Sequence, residues 1–292
     1  MGRPIGPKKV HRYSMEFKLT AVKLSRMPGV QVQTVADALD IHPFMLSRWR
    51  KEARDGLLKG RARRGAVAGR GADSIAGTQA ALAEIGGKSI GLIWDLADLS
   101  QIDGNVSKIE KELGPIDILV NNTGGPPPTT ASGQDPALWS KQFQAMVLSV
   151  IAITDRVLPN MRARHWGRII TSTSSGVVSP IPNLAISNAL RLSLVGWSKT
   201  LASEVAKDGI TANVVVPGRI ATDRIKFLDE AKAKREGRSV QAVMAENAAS
   251  IPIGRLGKPE EYGAMVAFLS SEAAAYITGT IVRVDGGMIP SI

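Results

Sequence analysis

Two sets of residues have types and spacings that could do chemistry. In the first, Ser47, Arg48, Arg50, Lys51 and Arg54 make one side of a helical stretch, Phe44–Arg54, entered through Pro43. Phe44, Leu46 and Trp49 make the side expected to be buried. A basic helix of this kind fits the major groove of duplex DNA, with Arg and Ser at base edges and Lys and Arg on phosphates. In the second, Asp95, Asn121-Asn122-Thr123-Gly124, Ser172–Ser175 and Pro217-Gly218 stand at the ends of short apolar runs. Carboxylate, amide and hydroxyl groups gathered at strand ends suit a small polar ligand.

The elements that must position these groups can be read from periodicity. Ser14–Met27 carries Phe17, Ala21, Val22, Leu24 and Met27 at helical spacing, with Ser14 as the expected N-cap, and Pro28-Gly29 ends it. Gln33–Leu39 is a second short helix, and Asp40-Ile41-His42 links it to the basic one. Two helices joined by a tight turn, the second basic, form a helix-turn-helix. From Ser89 onward the chain alternates. Strands are expected at Ser89–Leu96, Ile116–Asn122, Arg168–Ser174, Thr211–Val216 and Ile281–Asp285. Helices are expected at Leu99–Leu113, Leu138–Arg164, Asn188–Lys207 and Glu260–Ser271. Such alternation implies α/β architecture, a parallel sheet covered on both faces.

Composition narrows the function classes. The 292 residues include 44% hydrophobic and 22% charged residues, as expected of a globular chain of one large or two unequal domains. There is no cysteine, which excludes disulfides, thiolate catalysis and zinc-finger or iron–sulfur ligation. His11 and His42 are isolated, and no metal site is expected. The longest apolar run, near Ala145–Thr154, is about half the ~20 residues of a bilayer span. No apolar segment follows the basic start, so a soluble cytoplasmic protein without a secretory leader is expected. The net charge of +11 is unevenly placed. Residues 1–65 hold 15 Lys and Arg against 5 Asp and Glu, and residues 66–292 hold 22 against 21. Clustered positive charge is a footprint for a polyanion, although a solvated basic leader has the same composition.

Two resemblances sharpen this picture. The stretch Tyr13–Gly56, with its FK…AV start, VADALDI middle and LSRWRKE helix, resembles the DNA-binding module of insertion-sequence transposases. That implies double-stranded DNA as a partner of residues 13–56. No segment behind it resembles a transposase catalytic core. The segments DLAD, GPIDILVNNTGG, GRIITSTSSG, WSKTLASEVAKDGITANVVVPGRIAT, IGRLGKPEEYGAMVAFLSSEAAAYITG and VDGG resemble the short-chain dehydrogenase/reductase family over residues 66–292. The resemblance implies a Rossmann-like sheet, NADP or NAD as cofactor, a small carbonyl or alcohol substrate, and a homo-oligomer.

It also implies roles, and the match at those positions is incomplete. Ser174 stands at the family's serine position, 13 residues before Ser187, where the proton-donating tyrosine is expected. Arg191 stands at the lysine position and Met146 at the relay asparagine. Arg70 falls where an arginine favours the 2′-phosphate of NADP, and Asp95 at an adenine contact. Asn121, Gly124, Pro217, Gly218 and Thr222 fall on the nicotinamide side. Each of these also reads as an ordinary turn or strand-end residue. Asp223–Gln241 falls on a lid over the substrate, or on a solvated helix, and Pro126-Pro127-Pro128 narrows the pocket mouth.

The family's first strand, glycine turn and first helix have no counterpart. Val67-Ala68-Gly69-Arg70 resembles the end of its second strand, and helix-turn-helix sequence stands before it. Loss of that central strand should leave an unpaired edge inside the sheet and remove the pyrophosphate site. The glycines of Gly65-x3-Gly69-x-Gly71 do not replace it, because nothing strand-like is expected before them. Leu57–Gly71 is read as an exposed link, and the whole as an in-frame fusion joined near Arg63–Ala66. The expected units are a helix-turn-helix domain at 1–56, a linker at 57–65 and a Rossmann-like domain at 66–292. The expected function is an impaired NAD(P)-dependent oxidoreductase. The rival is a transposase-derived DNA-binding protein carrying an inactive α/β passenger.

Overall fold

The computed structural model describes residues 13, 15–55 and 64–291. Ser14, His11 and most of the expected linker lie outside the described residues. The chain divides into two compact units, residues 1–65 with 80–89, and residues 66–79 with 90–292.

The first unit contains α1 (Met15–Leu24), α2 (Val32–Ala38) and α3 (Pro43–Arg54). Ala21, Val22, Val35, Ala36, Ile41, Leu46 and Trp49 form its core, and the rings of Tyr13 and Phe17 pack on Trp49. Pro43 opens α3, where its missing N–H costs nothing, and the His42 ring nitrogen Nδ1 accepts the Phe44 amide at 3.2 Å. His42 is thus a helix cap. Phe44 corrects an expectation: it is 70% exposed. On a 3.6-residue period it shares a stripe with Ser47, Arg48 and Lys51, two residues away from the buried Leu46.

In the second unit a four-stranded parallel sheet runs in the order β3 (Ile118–Asn121), β4 (Gly167–Ser172), β5 (Ile210–Pro217), β6 (Ile281–Val284). Ile170 is in register with Val120 on one side and Asn213 on the other. α5 (Ile102–Leu113), α7 (Ser149–Ala163) and α8 (Ala185–Val205) supply apolar residues to its core, among them Val106, Val157, Met161 and Val205. α11 (Pro259–Leu269) packs Leu269 against Ile170 and Val215 in a separate cluster.

Among the described residues the strands form two separate sheets, as expected if the family's first strand has no counterpart. β1 (Arg64–Gly69) and β2 (Lys88–Ile93), linked by α4 (Ala72–Glu84), make a separate two-stranded sheet. In the doubly wound order 3-2-1-4-5-6 the first strand lies between two such groups. Here no ladder joins β1 to β3. Ile118 and Val120 on β3 are consequently 43% and 46% exposed, whereas every residue of β4 is buried.

One further expectation needs correcting. Arg64–Gly69 is a strand rather than part of an exposed link, because the pairing of β1 with β2 overrides its poor apolar pattern. Gly65 and Gly69 therefore lie inside a strand and cannot form a phosphate-cradling turn. The helix expected at Leu138–Arg164 is present as one continuous helical run, α6 (Pro136–Phe143), a π-helical segment Gln144–Leu148, and α7. Among the described residues no helix is long and apolar enough to cross a membrane.

Candidate functional site

The C-terminal ends of β3, β4 and β5 open into a cavity of about 740 Å³, a volume ordinary for a small-molecule site. The β3 end contributes Thr123, Gly124 and Gly125, the β4 end Ser172–Ser175, and the β5 end Pro217 and Gly218. α8 presents Ser187 and Arg191. The fourth wall is helical, from α9 (Asp223–Glu236) and α10 (Val240–Ala249), with Arg224, Ile225, Leu228 and Asn247 facing in. The segment expected as either a lid or a solvated helix is therefore a wall on one face, with Asp229, Ala233 and Val243 buried.

Of the residues singled out in the sequence, Gly124, Ser174, Ser187, Arg191, Pro217, Gly218 and Thr222 line this cavity. Ser174 caps a short 3₁₀ turn, its hydroxyl accepting the Gly176 amide at 3.2 Å. A Cβ on Gly218 would lie 2.5 Å from Asp285 Cα, so glycine is required there by close backbone approach alone. Three other residues are not part of the cavity lining. Asn121 is buried at the end of β3, and its amide donates to Thr154 Oγ1 at 3.3 Å. Asp95 is exposed and accepts the Ala97 amide at 3.1 Å, a local turn contact. Arg70, exposed after β1, places Nη2 3.9 Å from where a Gly124 Cβ would be.

Arg191 is only 8% exposed. Its Nη2 donates to the carbonyls of Thr123 and Gly124, both at 3.1 Å, and its Nη1 donates to the carbonyl of Ser172 at 3.4 Å. Burial, then the nearby Arg224 charge, pull its pKa down to about 10, so it stays protonated at neutral pH. Met146 sits in the π-helical segment, buried against Ile186, Leu190 and Leu194. A thioether packed in this way offers no proton.

Sequence reading missed three groups. Tyr262 lines the cavity with its hydroxyl 2.8 Å from Ser172 Oγ and 3.3 Å from the Val215 carbonyl. Burial raises its pKa, partly countered by the Ser172 hydrogen bond and the Arg191 charge. Arg224 donates to the Pro126 carbonyl at 2.9 Å. Asp229, 2% exposed, accepts from Arg219 and from Asn247, the latter at 2.8 Å. No periodic signal marks these groups, because their partners are 10 to 98 residues away in the chain. Asp229→Ala leaves the Arg219 charge without its partner. The expected loss is roughly 3–5 kcal/mol of unfolding free energy, read as a lower urea midpoint at unchanged slope.

On α3, Ser47, Arg48, Lys51 and Arg54 are exposed and Arg50 is partly so. Arg48 pairs with Glu52 at 2.7 Å and Arg54 with Asp55 at 3.6 Å, both at the surface. Among the described residues there is no cluster able to hold a metal ion.

The parallel sheet and its strand-end cavity define a Rossmann-like α/β scaffold, and comparison with known proteins agrees. Residues 63–289 match a family model described as enoyl-(acyl carrier protein) reductase, and the chain belongs to the short-chain dehydrogenase/reductase family. Residues 8–82 match a transposase helix-turn-helix model. The chain is 37% identical to the 3-oxoacyl-[acyl-carrier-protein] reductase of Escherichia coli over 78% of its own length and 92% of that protein. It is 34% identical to nodulation protein G of Azospirillum brasilense, over 66% and 74%. The L-sorbose reductase of Gluconobacter frateurii, solved with NADPH and L-sorbose, superposes with a TM-score of 0.72 at 30% identity, covering 78% of this chain and 87% of that one.

A dinucleotide needs more than the cavity. Its pyrophosphate sits on a glycine turn at the N-terminus of the helix following the first strand. Among the described residues no strand and glycine turn stand between β1 and β3. The cavity has room for a small ligand, but the described residues supply no glycine turn to fit the pyrophosphate half.

Proposed function

We propose that the α/β unit is an impaired short-chain dehydrogenase/reductase, nominally an NADP- or NAD-dependent oxidoreductase of a small carbonyl or alcohol. The observation that carries this reading is the sheet divided into β1–β2 and β3–β6 where the nucleotide-binding strand would stand. The side chains at the reacting end point the same way. A serine hydroxyl at 187 is a far weaker acid than a phenol of pKa ~10. Arg191 holds its proton and is committed to three backbone carbonyls. Met146 has no proton to relay. General acid catalysis is typically worth ~10²–10⁴ in rate, and this site forgoes it. In this reading Ser174, Ser187 and Arg191 stand in the catalytic positions, and Gly124, Pro217, Gly218 and Thr222 face the nicotinamide pocket. Arg70 is a remnant of the 2′-phosphate contact, Asp95 of the adenine contact, and Asn121 of the nicotinamide side. The test is calorimetric titration with NADPH and NADH, then turnover on a panel of ketones. The expected result is no saturation below millimolar cofactor and no measurable turnover. Micromolar binding with turnover would refute the impairment.

A second reading is favoured by α3, whose exposed basic stripe stands on a packed three-helix core. Residues 1–56 are proposed to bind duplex DNA through Ser47, Arg48, Arg50, Lys51 and Arg54. Affinity for duplex DNA should fall steeply with salt. The triple variant Arg48→Ala, Arg50→Ala, Lys51→Ala should flatten the log–log salt slope by up to about 2.7, at ~0.9 for each phosphate no longer neutralised. Fluorescence anisotropy from low to physiological salt measures this, and a slope shared by both proteins would rule it out.

A further inference from the structure

Among the described residues of α1–α3, Phe44 is the most exposed large apolar side chain, at 70%. It lies in the first turn of α3, directly after Pro43, and its amide is held by His42 Nδ1, so the backbone that carries the ring is fixed. The core of this unit does not use it. Leu46 and Trp49, with the partly buried Met45 and Ala53, take the inner side of α3. On a 3.6-residue period Phe44 points away from Leu46 and Ala53 and heads the stripe of Ser47, Arg48 and Lys51. All three are exposed, and the Arg48 side chain is still 69% exposed while paired with Glu52. A single exposed apolar residue is ordinary on a protein surface. Phe44 differs in its company, because an apolar ring at the head of a cationic stripe meets whatever that stripe binds. Duplex DNA is a polyanion that also offers an apolar group in reach, the thymine C5-methyl in the major groove.

We propose that Phe44 reads the C5-methyl group of thymine in the major groove and is a specificity-determining residue of α3. The inference rests on the reading of α3 as a DNA-binding helix, and adds the base that the helix selects. In a helix-turn-helix the N-terminal residues of the second helix meet base edges. Phe44 stands at that end of α3, two turns before Lys51. A phenyl ring has no donor or acceptor, so it gains free energy against a methyl group and gains none against a bare pyrimidine edge. Contacts of Arg48 and Lys51 with phosphates would hold the helix in place without regard to sequence, which leaves the choice of base to the ring.

The test is fluorescence anisotropy of the full chain with two alternating duplexes, poly(dA-dT) and poly(dA-dU), which differ only in that methyl group. Poly(dA-dT) should bind roughly three- to fivefold more tightly, the return from burying about one methyl group. Poly(dG-dC) and its 5-methylcytosine counterpart carry the same difference at the same groove position without an A·T pair, and the methylated duplex should again bind more tightly. Phe44→Ser should bring both ratios to about one, whereas Phe44→Leu, which keeps an apolar group, should retain most of the difference. Arg48→Ala should weaken binding to every duplex and leave the ratios as they are. Salt-dependent binding of equal strength to methylated and unmethylated duplexes overturns the inference and leaves the DNA-binding reading standing. Absence of salt-dependent binding to any duplex defeats that reading, and the inference with it. A dimer in sedimentation velocity that Phe44→Ser dissolves would seat the ring on a second copy of the chain, which also overturns it.

Discussion

Trp49→Ala should unfold α1–α3 while β4 and β5 keep their protection. Trp49 is 3% exposed and touches Tyr13 and Phe17 through edge-to-face contacts at ring distances of 5.1 and 6.0 Å. Truncating a buried tryptophan costs roughly 3–5 kcal/mol. A bundle of about 40 residues has only roughly 2–6 kcal/mol in total, at 0.05–0.15 per residue. The loss therefore matches the whole stability of the three helices. Native-state hydrogen exchange shows the result directly. Amides of residues 15–54 should approach unprotected rates, and amides of residues 167–172 and 210–217 should not change. Simultaneous loss of protection in both regions would show one cooperative unit in place of two. Duplex DNA affinity should disappear with the helices, a larger effect than removing three surface cations.

The second large effect is a gain. Replacing residues 1–63 by a strand, a G-x-G-x-x-G turn and a helix supplies the ladder missing between β1 and β3. The new strand pairs on both edges and covers Ile118 and Val120, now nearly half exposed. Ordering the strand costs about as much as its ladder hydrogen bonds return, so the gain comes from the apolar area that the new strand and helix bury. At roughly 2–4 °C per kcal/mol for a domain of this size, the melting temperature should rise measurably. NADPH affinity should appear at the same time, because the turn and helix N-terminus supply the pyrophosphate site. Reductase turnover should still be absent, since Ser187, Arg191 and Met146 are untouched. An unchanged melting temperature would mean that β1 and β3 are not held apart in the way required to receive a strand.

Much of this architecture is legible in local pattern. Gly196 and Lys199 lie in a well-matched stretch and anchor the count back to Ser187 and Arg191, and the alternation of strand and helix marks the layers. Both kinds of reading depend on spacing along the chain, which a sequence displays. Sequence and structure part where helical phase or a partner distant in sequence decides the outcome. Composition points Phe44 inward, but the phase of α3 turns it out beside Arg48. Arg64–Gly69 lacks an apolar signature, yet pairing with β2 makes it a strand. Asn121 matches a cofactor-facing position and instead reaches Thr154.

The order of elements and the family follow from the one-dimensional sequence, because each is a matter of residue type at a fixed offset. That Arg191 and Arg224 share one loop, and that Asp229 neutralises Arg219, follows only from tertiary packing. Electrostatic pairing acts through a few ångströms of space, and chain separation carries no information about that distance.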